Sequence, residues 1–397
     1  MAATLDPKTS FGETTTIVKC VADELVMTDP SATPLLKYIS PNMNNLSGVF
    51  NSDPYYWVDD TLEPVSVTLQ SQLTTGQTNL QVQSGMGEYF RKGTVVKLDD
   101  ELVLVATTTD ASKADDTAVI SHAFADTTAT HHTTGATAYI VGQATLETET
   151  VWDSFYVTPT MPWNRVQIMS APLEMTQLEM NTARHSDVND WQYQKDKVLL
   201  QLMKRLNRNL YDGVREASTP TAAIPGAFGG LMDDTSNWPI YDSGDNVLDL
   251  GGAALTEDHI EDAMEEIFDA VGTDNMPKLL VCSGHAKRKI SSWWENRVRI
   301  DRAQNEIGLT IDRIETDFGY LDVLMDMACP KAPVSIGSLF LLNTDHIKFG
   351  PHVGCEFTWY APAITMIGKQ EVLWGAYTLE IGAAKTHGRL YNFSTTA

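Results

Sequence analysis

The segment from 187 to 214 constrains this chain more than any other. Trp191, Val198, Leu199, Leu202, Met203, Leu206 and Leu210 recur at spacings of three and four, which stacks them on one face of an α-helix. Ser186 stands where a capping hydroxyl is wanted, and Gly213 where a helix ends. About 28 residues rising 1.5 Å each make a rod of roughly 42 Å. A helix of that length serves as the backbone of an elongated domain.

Upstream of it the pattern is different twice over. Residues 1–64 are punctuated by Pro7, Pro30, Pro34, Pro41, Pro54 and Pro64, each of which biases its predecessor away from helix. One short helical stretch, 16–25, fits between these breaks, and the rest reads as an arm with little core. The arm ends in Tyr55-Tyr56-Trp57-Val58-Asp59-Asp60, whose three rings need burial, either elsewhere in the fold or on another subunit. From 65 to 144 the period becomes two. Val65, Val67 and Leu69 alternate with polar residues, 94–106 predicts a hairpin turning at Asp99-Asp100, and glycines mark further turns. Ten threonines between 107 and 137, with few large apolar neighbours, predict a thin surface feature. The span 65–144 therefore reads as a small all-β inserted module.

Downstream, 217–252 is loop-rich. A second amphipathic helix starts near 256. It sets Ile260, Ala263, Met264, Ile267, Phe268 and Val271 on one face and Glu257, Asp258, Glu261, Asp262, Glu265, Glu266 and Asp269 on the other, and Gly272 ends it. Residues 278–282 read as a buried strand and 285–296 as a third helix, which suggests a compact α/β unit over 251–345. Strands are expected at 319–327, 338–342, 356–360 and 372–381. No 20–50-residue period repeats, so a solenoid is not supported. The expected class is α+β, with segments 1–64, 65–144, 145–250, 251–345 and 346–397.

Composition narrows the function. With 52 acidic and 28 basic side chains, the formal charge of -24 argues against general nucleic-acid binding, which rests on clustered Lys and Arg. Residues 221–276 hold 13 acids and no Lys or Arg. Apolar runs such as 339–342 are far shorter than the roughly 20 residues of a membrane span, and residues 1–13 show no signal-peptide pattern. Cys20, Cys282, Cys329 and Cys355 lack CxxC spacing, so neither a disulfide scaffold nor structural zinc is expected, and a reducing compartment is the default.

Catalytic constellations are weak. The chain has no Walker loop, no GxSxG and no HExxH. His131-His132 would point to opposite faces of a strand and is a poor chelate. Asp59-Asp60 and Asp99-Asp100 fit solvated or capping carboxylates better than an acid–base pair. Cys282, before Ser283-Gly284-His285, reads as a core cysteine rather than a nucleophile. Lys287, Arg288, Lys289, Arg297, Arg299 and Arg302 form one basic concentration beside Trp293-Trp294. A solvated charged face over core tryptophans explains it better than a nucleic-acid patch.

The order of these elements resembles a known layout: an arm, an extended region with a β insert, a long helix, an α/β unit and late strands. It is similar to the tailed-bacteriophage major capsid proteins of the Hong Kong ninety-seven fold, in the branch typified by the major head protein of an Escherichia phage of the SU type. The motifs are 29–35 with Ala32-Thr33-Pro34-Leu35; Tyr56-Trp57-Val58-Asp59-Asp60 and Leu62; 93–105 with His132, Gly135 and Gly142-Gln143-Ala144; 187–213; and Tyr377-Thr378-Leu379-Glu380.

The resemblance implies an extended loop carrying the insert, a peripheral domain around the spine helix over 145–250 and an axial domain over 251–345. It implies a shell subunit that forms hexamers and pentamers, with scaffold, portal and decoration proteins as partners. It encloses double-stranded DNA without sequence-specific binding, touches no membrane, is assembled in the host cytoplasm, and ends in the virion. No enzymatic activity, cofactor or metal is implied. A virion decoration protein and a hydrolytic enzyme are the other classes. Independently of the resemblance, the acidic helix with Glu261 and Glu265 and the basic run with Lys287, Arg288 and Lys289 are expected as complementary subunit faces, with Trp57 and Asp59 as further interface residues. Packing of the two helices within one subunit is the competing expectation.

Overall fold

The computed structural model describes residues 33–39, 50–60, 62–108, 116–150, 157–182, 190–221, 223–233, 246–293, 312–330, 336–363 and 367–394. They form two compact units, one of Met1–Val58 with Met161–Ala397 and one of Asp59–Thr160. The larger begins with α1 (Pro34–Ile39) and β1 (Tyr55–Tyr56). The smaller holds β2 (Ser66–Thr68), β3 (Asn79–Gln81), β4 (Thr94–Leu98), β5 (Glu101–Thr108), β6 (Thr117–Ser121) and β7 (Thr137–Gln143). The chain returns through β8 (Trp163–Asn164), β9 (Gln167–Thr176), α2 (Gln177–Met180), α3 (Asp190–Asp212) and β10 (Val247–Asp249). There follow α4 (Glu257–Val271), β11 (Leu279–Cys282), α5 (Gly284–Trp293), β12 (Asp312–Thr316), β13 (Gly319–Met325) and β14 (Ile336–Leu342). The last elements are β15 (Ile347–Pro351), β16 (Thr358–Tyr360), β17 (Gly368–Ile381) and β18 (Gly388–Ser394).

The smaller unit is one antiparallel sheet of order β2-β7-β4-β5-β6-β3. The expected hairpin is β4–β5, with Leu98 opposite Glu101 and Asp99 in the left-handed region at φ 50°. Alternation buries Val67, Leu80, Val96, Leu98, Val103 and Val105 in one cluster. Its strands lie within the expected 65–144, and the compact unit extends beyond them on both sides.

The central sheet of the larger unit has order β10-β18-β14-β11-β13-β12. β11 runs parallel to β13 and antiparallel to β14, and all four of its side chains are buried. That requires cover on both faces. On one, Leu279, Val281, Phe340 and Leu342 pack with Leu35 and Leu36 of α1 and Leu206, Leu210 and Tyr211 of α3. On the other, Leu280, Cys282, Leu339 and Leu341 meet Ile260, Met264 and Ile267 of α4 and Ala286 and Ile290 of α5. Each fully buried aliphatic side chain contributes roughly 1.5–3 kcal/mol. A side chain at Gly337 would run into the Phe393 ring, and the β14–β18 register shifts at that position.

The spine helix α3 lies along a ribbon in which β9 and β17 pair over ten positions, Gln167 with Tyr377 through Thr176 with Gly368. Lys195 donates to Glu371 at 2.6 Å, which holds the Glu371 carboxyl below its usual range, and its ammonium sits 4.7 Å from the Trp359 ring centre. At the other end Asn209 donates to Gln167 at 2.6 Å. The last carbonyls of α3 are satisfied by a returning loop, with Leu231 N–H on Leu210 O and Met232 N–H on Tyr211 O. α4 closes at Gly272, whose φ of 71° suits glycine.

Several expectations shift in detail. The strand expected at 372–381 begins earlier, at Gly368, because β9 offers it a full ladder. The one expected at 356–360 is shorter, because Phe357 N–H donates to the Tyr377 hydroxyl instead. The helix at 16–25, the Ser186 cap, Cys20, and Trp294 with Arg297, Arg299 and Arg302 lie outside the described residues.

Candidate functional site

Polar side chains gather at several places among the described residues, and the first is the pair of charged helices. On α4, Asp258, Asp262, Glu265, Glu266 and Asp269 are exposed and Glu261 is half-buried, opposite the buried Ile260, Ala263, Met264 and Ile267. Thr256 N–H donates to His259 Nδ1 at 3.2 Å and holds the first turn. On α5, Arg288 is exposed, Lys287 and Lys289 are half-buried, and Ala286 and Ile290 face the sheet. Burial lowers the pKa of His285 on this helix, and the cations Arg288 and Lys289 lower it further.

The second lies in the inserted unit, around Glu101. Its carboxylate is fully buried. One oxygen takes His122 Nδ1 at 2.7 Å and Ala123 N–H at 3.1 Å; the other takes Thr130 N–H at 2.9 Å and His132 Nε2 at 3.0 Å. His132 Nδ1 lies 2.8 Å from Asp99, and His122 Nε2 lies 2.7 Å from Gln77 O. Burial opposes ionisation of Glu101, but the backbone donors Thr130 and Ala123, with the two imidazoles, outweigh it and bring the pKa down to about 2. The network ties the β4–β5 turn to the loops after β6 and before β7.

The third is Asp326, just beyond β13 and 1% exposed. One carboxylate oxygen accepts from Leu35 N–H at 3.3 Å, Asn207 Nδ2 at 3.0 Å and the Tyr211 hydroxyl at 2.9 Å; the other accepts from Ala328 N–H at 2.8 Å. Leu36 N–H completes the join on Asn207 Oδ1 at 3.0 Å. Burial and the Asp326 charge push the Tyr211 phenol well above its ordinary pKa. The described arm helix is thereby fixed to the spine and the central sheet by a carboxylate at its N-terminal turn.

Trp57 is packed within its own chain. It is 7% exposed, stacks on Tyr55 at 6.3 Å and packs into the core of its own unit, so its own chain supplies the burial. Asp59 is half-buried and pairs through its backbone with Thr160 at 3.0 and 2.9 Å. His131 is exposed and His132 buried, the alternation that made them a poor chelate. Cys282 is buried in β11, which pushes its thiol up to about 12, far from a nucleophile. A groove of about 240 Å³ between β9 and α3 has one ionisable lining residue, Arg205. Among the described residues no group of three or more His, Cys, Asp or Glu could hold a metal ion, and no helix is long and apolar enough to cross a membrane.

The sequence reading missed the Glu101 and Asp326 networks. For Glu101 a signal existed: it shares strand parity with Val103 and Val105, so it had to face inward and find partners.

A long helix along a β ribbon, an inserted β module and a sheet covered on both faces define the class as α+β. The family model described as SU10 major capsid protein matches residues 7–394. The chain belongs to that family, and its role is that of a shell-forming component of the virion. No curated protein sequence matches it. Among solved structures it is similar to one of Mycobacterium phage Bobi, with 9% identity over 94% of this chain and 95% of that one and a TM-score of 0.42. It is similar to the capsid of a native GTA particle, with 7% identity, 64% and 81% covered and a TM-score of 0.43. The holo-SrpI encapsulin complex of Synechococcus elongatus gives 8%, 62% and 79%, and 0.40. At these scores the family match carries the identification.

Proposed function

We propose that copies of this chain join in rings of five and six and close into an icosahedral head around double-stranded DNA. Assembly takes place in the host cytoplasm, with scaffold, portal and decoration proteins as further partners. The observation that carries this reading is the match of a major capsid protein family to residues 7–394. The charge agrees with it: a subunit at -24 encloses DNA without adhering to it. The energetics agree as well. At about 25 cal/mol per Å², each 1,000 Å² of apolar interface offers roughly 25 kcal/mol before ordering costs, so many moderate contacts hold a shell. The test is expression of the full chain, followed by size-exclusion chromatography and negative-stain microscopy. Closed particles tens of nanometres across are expected; a stable monomer or an isolated trimer would return the chain to the decoration-protein reading.

A further inference from the structure

We propose that neighbouring subunits in a ring meet by docking the acidic outer face of α4 against the basic outer face of α5 on the next copy of this chain. The inference rests on the ring-forming reading above and adds to it the two faces that meet. Four observations lead there.

Both helices cover the same face of the central sheet, but over different strands: α4 packs against β18, α5 against β11 and β13. In the order β10-β18-β14-β11-β13-β12, these positions lie toward opposite edges. A ring contact is heterologous, so a subunit must offer one face on one side and its complement on the other. Two helices displaced across one sheet give two separate surfaces, one for each neighbour.

The faces are opposite in sign and each is unmixed. Residues 257–271 contain seven acids and no Lys or Arg, while 284–293 contain three Lys or Arg and no acid. On α4 the acids stand four apart as Glu257–Glu261, Asp258–Asp262, Glu261–Glu265, Asp262–Glu266 and Glu265–Asp269. Asp258, Asp262, Glu265 and Asp269 are exposed, so the face presents a negative potential to whatever approaches it. On α5 burial lowers the pKa of His285, and the cations Arg288 and Lys289 lower it further, the mark of a positive local field. Complementarity of this kind sets register and orientation more than affinity.

Two full-chain variants separate this docking from charge pairing inside one subunit. One carries Asp258→Lys, Asp262→Lys, Glu265→Lys, Glu266→Lys and Asp269→Lys, which leaves two acids against five Lys on α4, so both its helices are basic; the other carries Lys287→Glu, Arg288→Glu and Lys289→Glu, so both are acidic. Each alone is expected to place about tenfold less protein in particles than the unsubstituted chain under the same conditions. Co-expressed, they complement one another only between subunits and only in alternation. The mixture is therefore expected to recover even-membered rings holding both chains in equal amounts, and not five-fold ones. Particle formation by either variant alone at the unsubstituted level overturns the docking, as does a mixture that stays unassembled while circular dichroism shows both chains folded. If a reversal impairs folding, the neutral triples Asp258→Asn, Asp262→Asn, Glu265→Gln and Lys287→Gln, Arg288→Gln, Lys289→Gln take its place, and each must flatten the dependence of assembly on salt. An unsubstituted chain that forms no particles overturns the ring reading itself, which keeps the two failures distinct.

Discussion

The two six-stranded sheets of this protein share a strand count and little else. In the larger unit β11 buries every side chain between helical layers, and one of the unit's buried carboxylates, Asp326, serves to fix an outlying segment. In the inserted unit one apolar cluster fills one side of the sheet, while Tyr139 and Val141 on β7 are 50% and 60% exposed. Its buried carboxylate, Glu101, holds loops that little apolar surface could hold. A thick core can leave cohesion to burial. A thin one leans on charge-assisted hydrogen bonds.

The largest effect expected on this contrast comes from Asp326→Ala. It strands Leu35 N–H, the Asn207 amide and the Tyr211 hydroxyl in the interior, and the expected loss is about 3–5 kcal/mol in denaturant unfolding. A loss below about 1 kcal/mol would mean that burial alone seats the arm helix.

The next is an order of events on acidification. His387 is fully buried, accepts from Asn343 N–H at Nδ1 and contacts Gly382 O through Nε2, and burial lowers its pKa from 6.5 to about 4. A lowered pKa gives stability that is present above the unfolded value and is lost as pH falls toward the folded one. The larger unit therefore weakens between 6.5 and about 4. Glu101, lowered from 4.5 to about 2, keeps its contribution to the inserted unit until pH falls below 4.5. Hydrogen exchange on the full chain should lose protection around 343 and 387 first and around 101–132 only in stronger acid. The reverse order would remove Glu101 as the clasp of the insertion.

The smallest effect is Lys278→Gln. Lys278 pairs with Asp345 at 2.5 Å, but the two side chains are 43% and 62% exposed. A change below about 1 kcal/mol in thermal unfolding is expected, because water and salt screen such pairs. A larger one would give surface charge a weight here that only the buried networks of Asp326 and Glu101 are expected to have.

Much of the fold was legible. The three- and four-residue spacing at 191–210 marks the spine, and the two-residue alternation after 65 marks the insertion, because both patterns repeat within a few residues. The charged helices were legible for the same reason, as faces. Less legible was whether Trp57 served its own chain or another, since the cluster at 55–60 carries the demand for burial and not the surface that meets it. The interior carboxylates were least legible. Asp326 reads as one acid among 52, and its partner Leu35 lies 291 residues away.

By itself, then, the sequence determined the long helix, the two charged helices, the insertion and the family, since each is written in local periodicity or in the order of segments, whereas β9 and β18 showed only once they found their ladders. The tertiary structure decided the rest. It chose which acids are interior, it spent Trp57 on its own core, and it set the acidic and basic helices over different strands of one sheet. The physical reason is range. Periodicity acts over one turn or one pleat, whereas hydrogen-bond partners and the lateral order of strands exist only once distant segments have closed on each other.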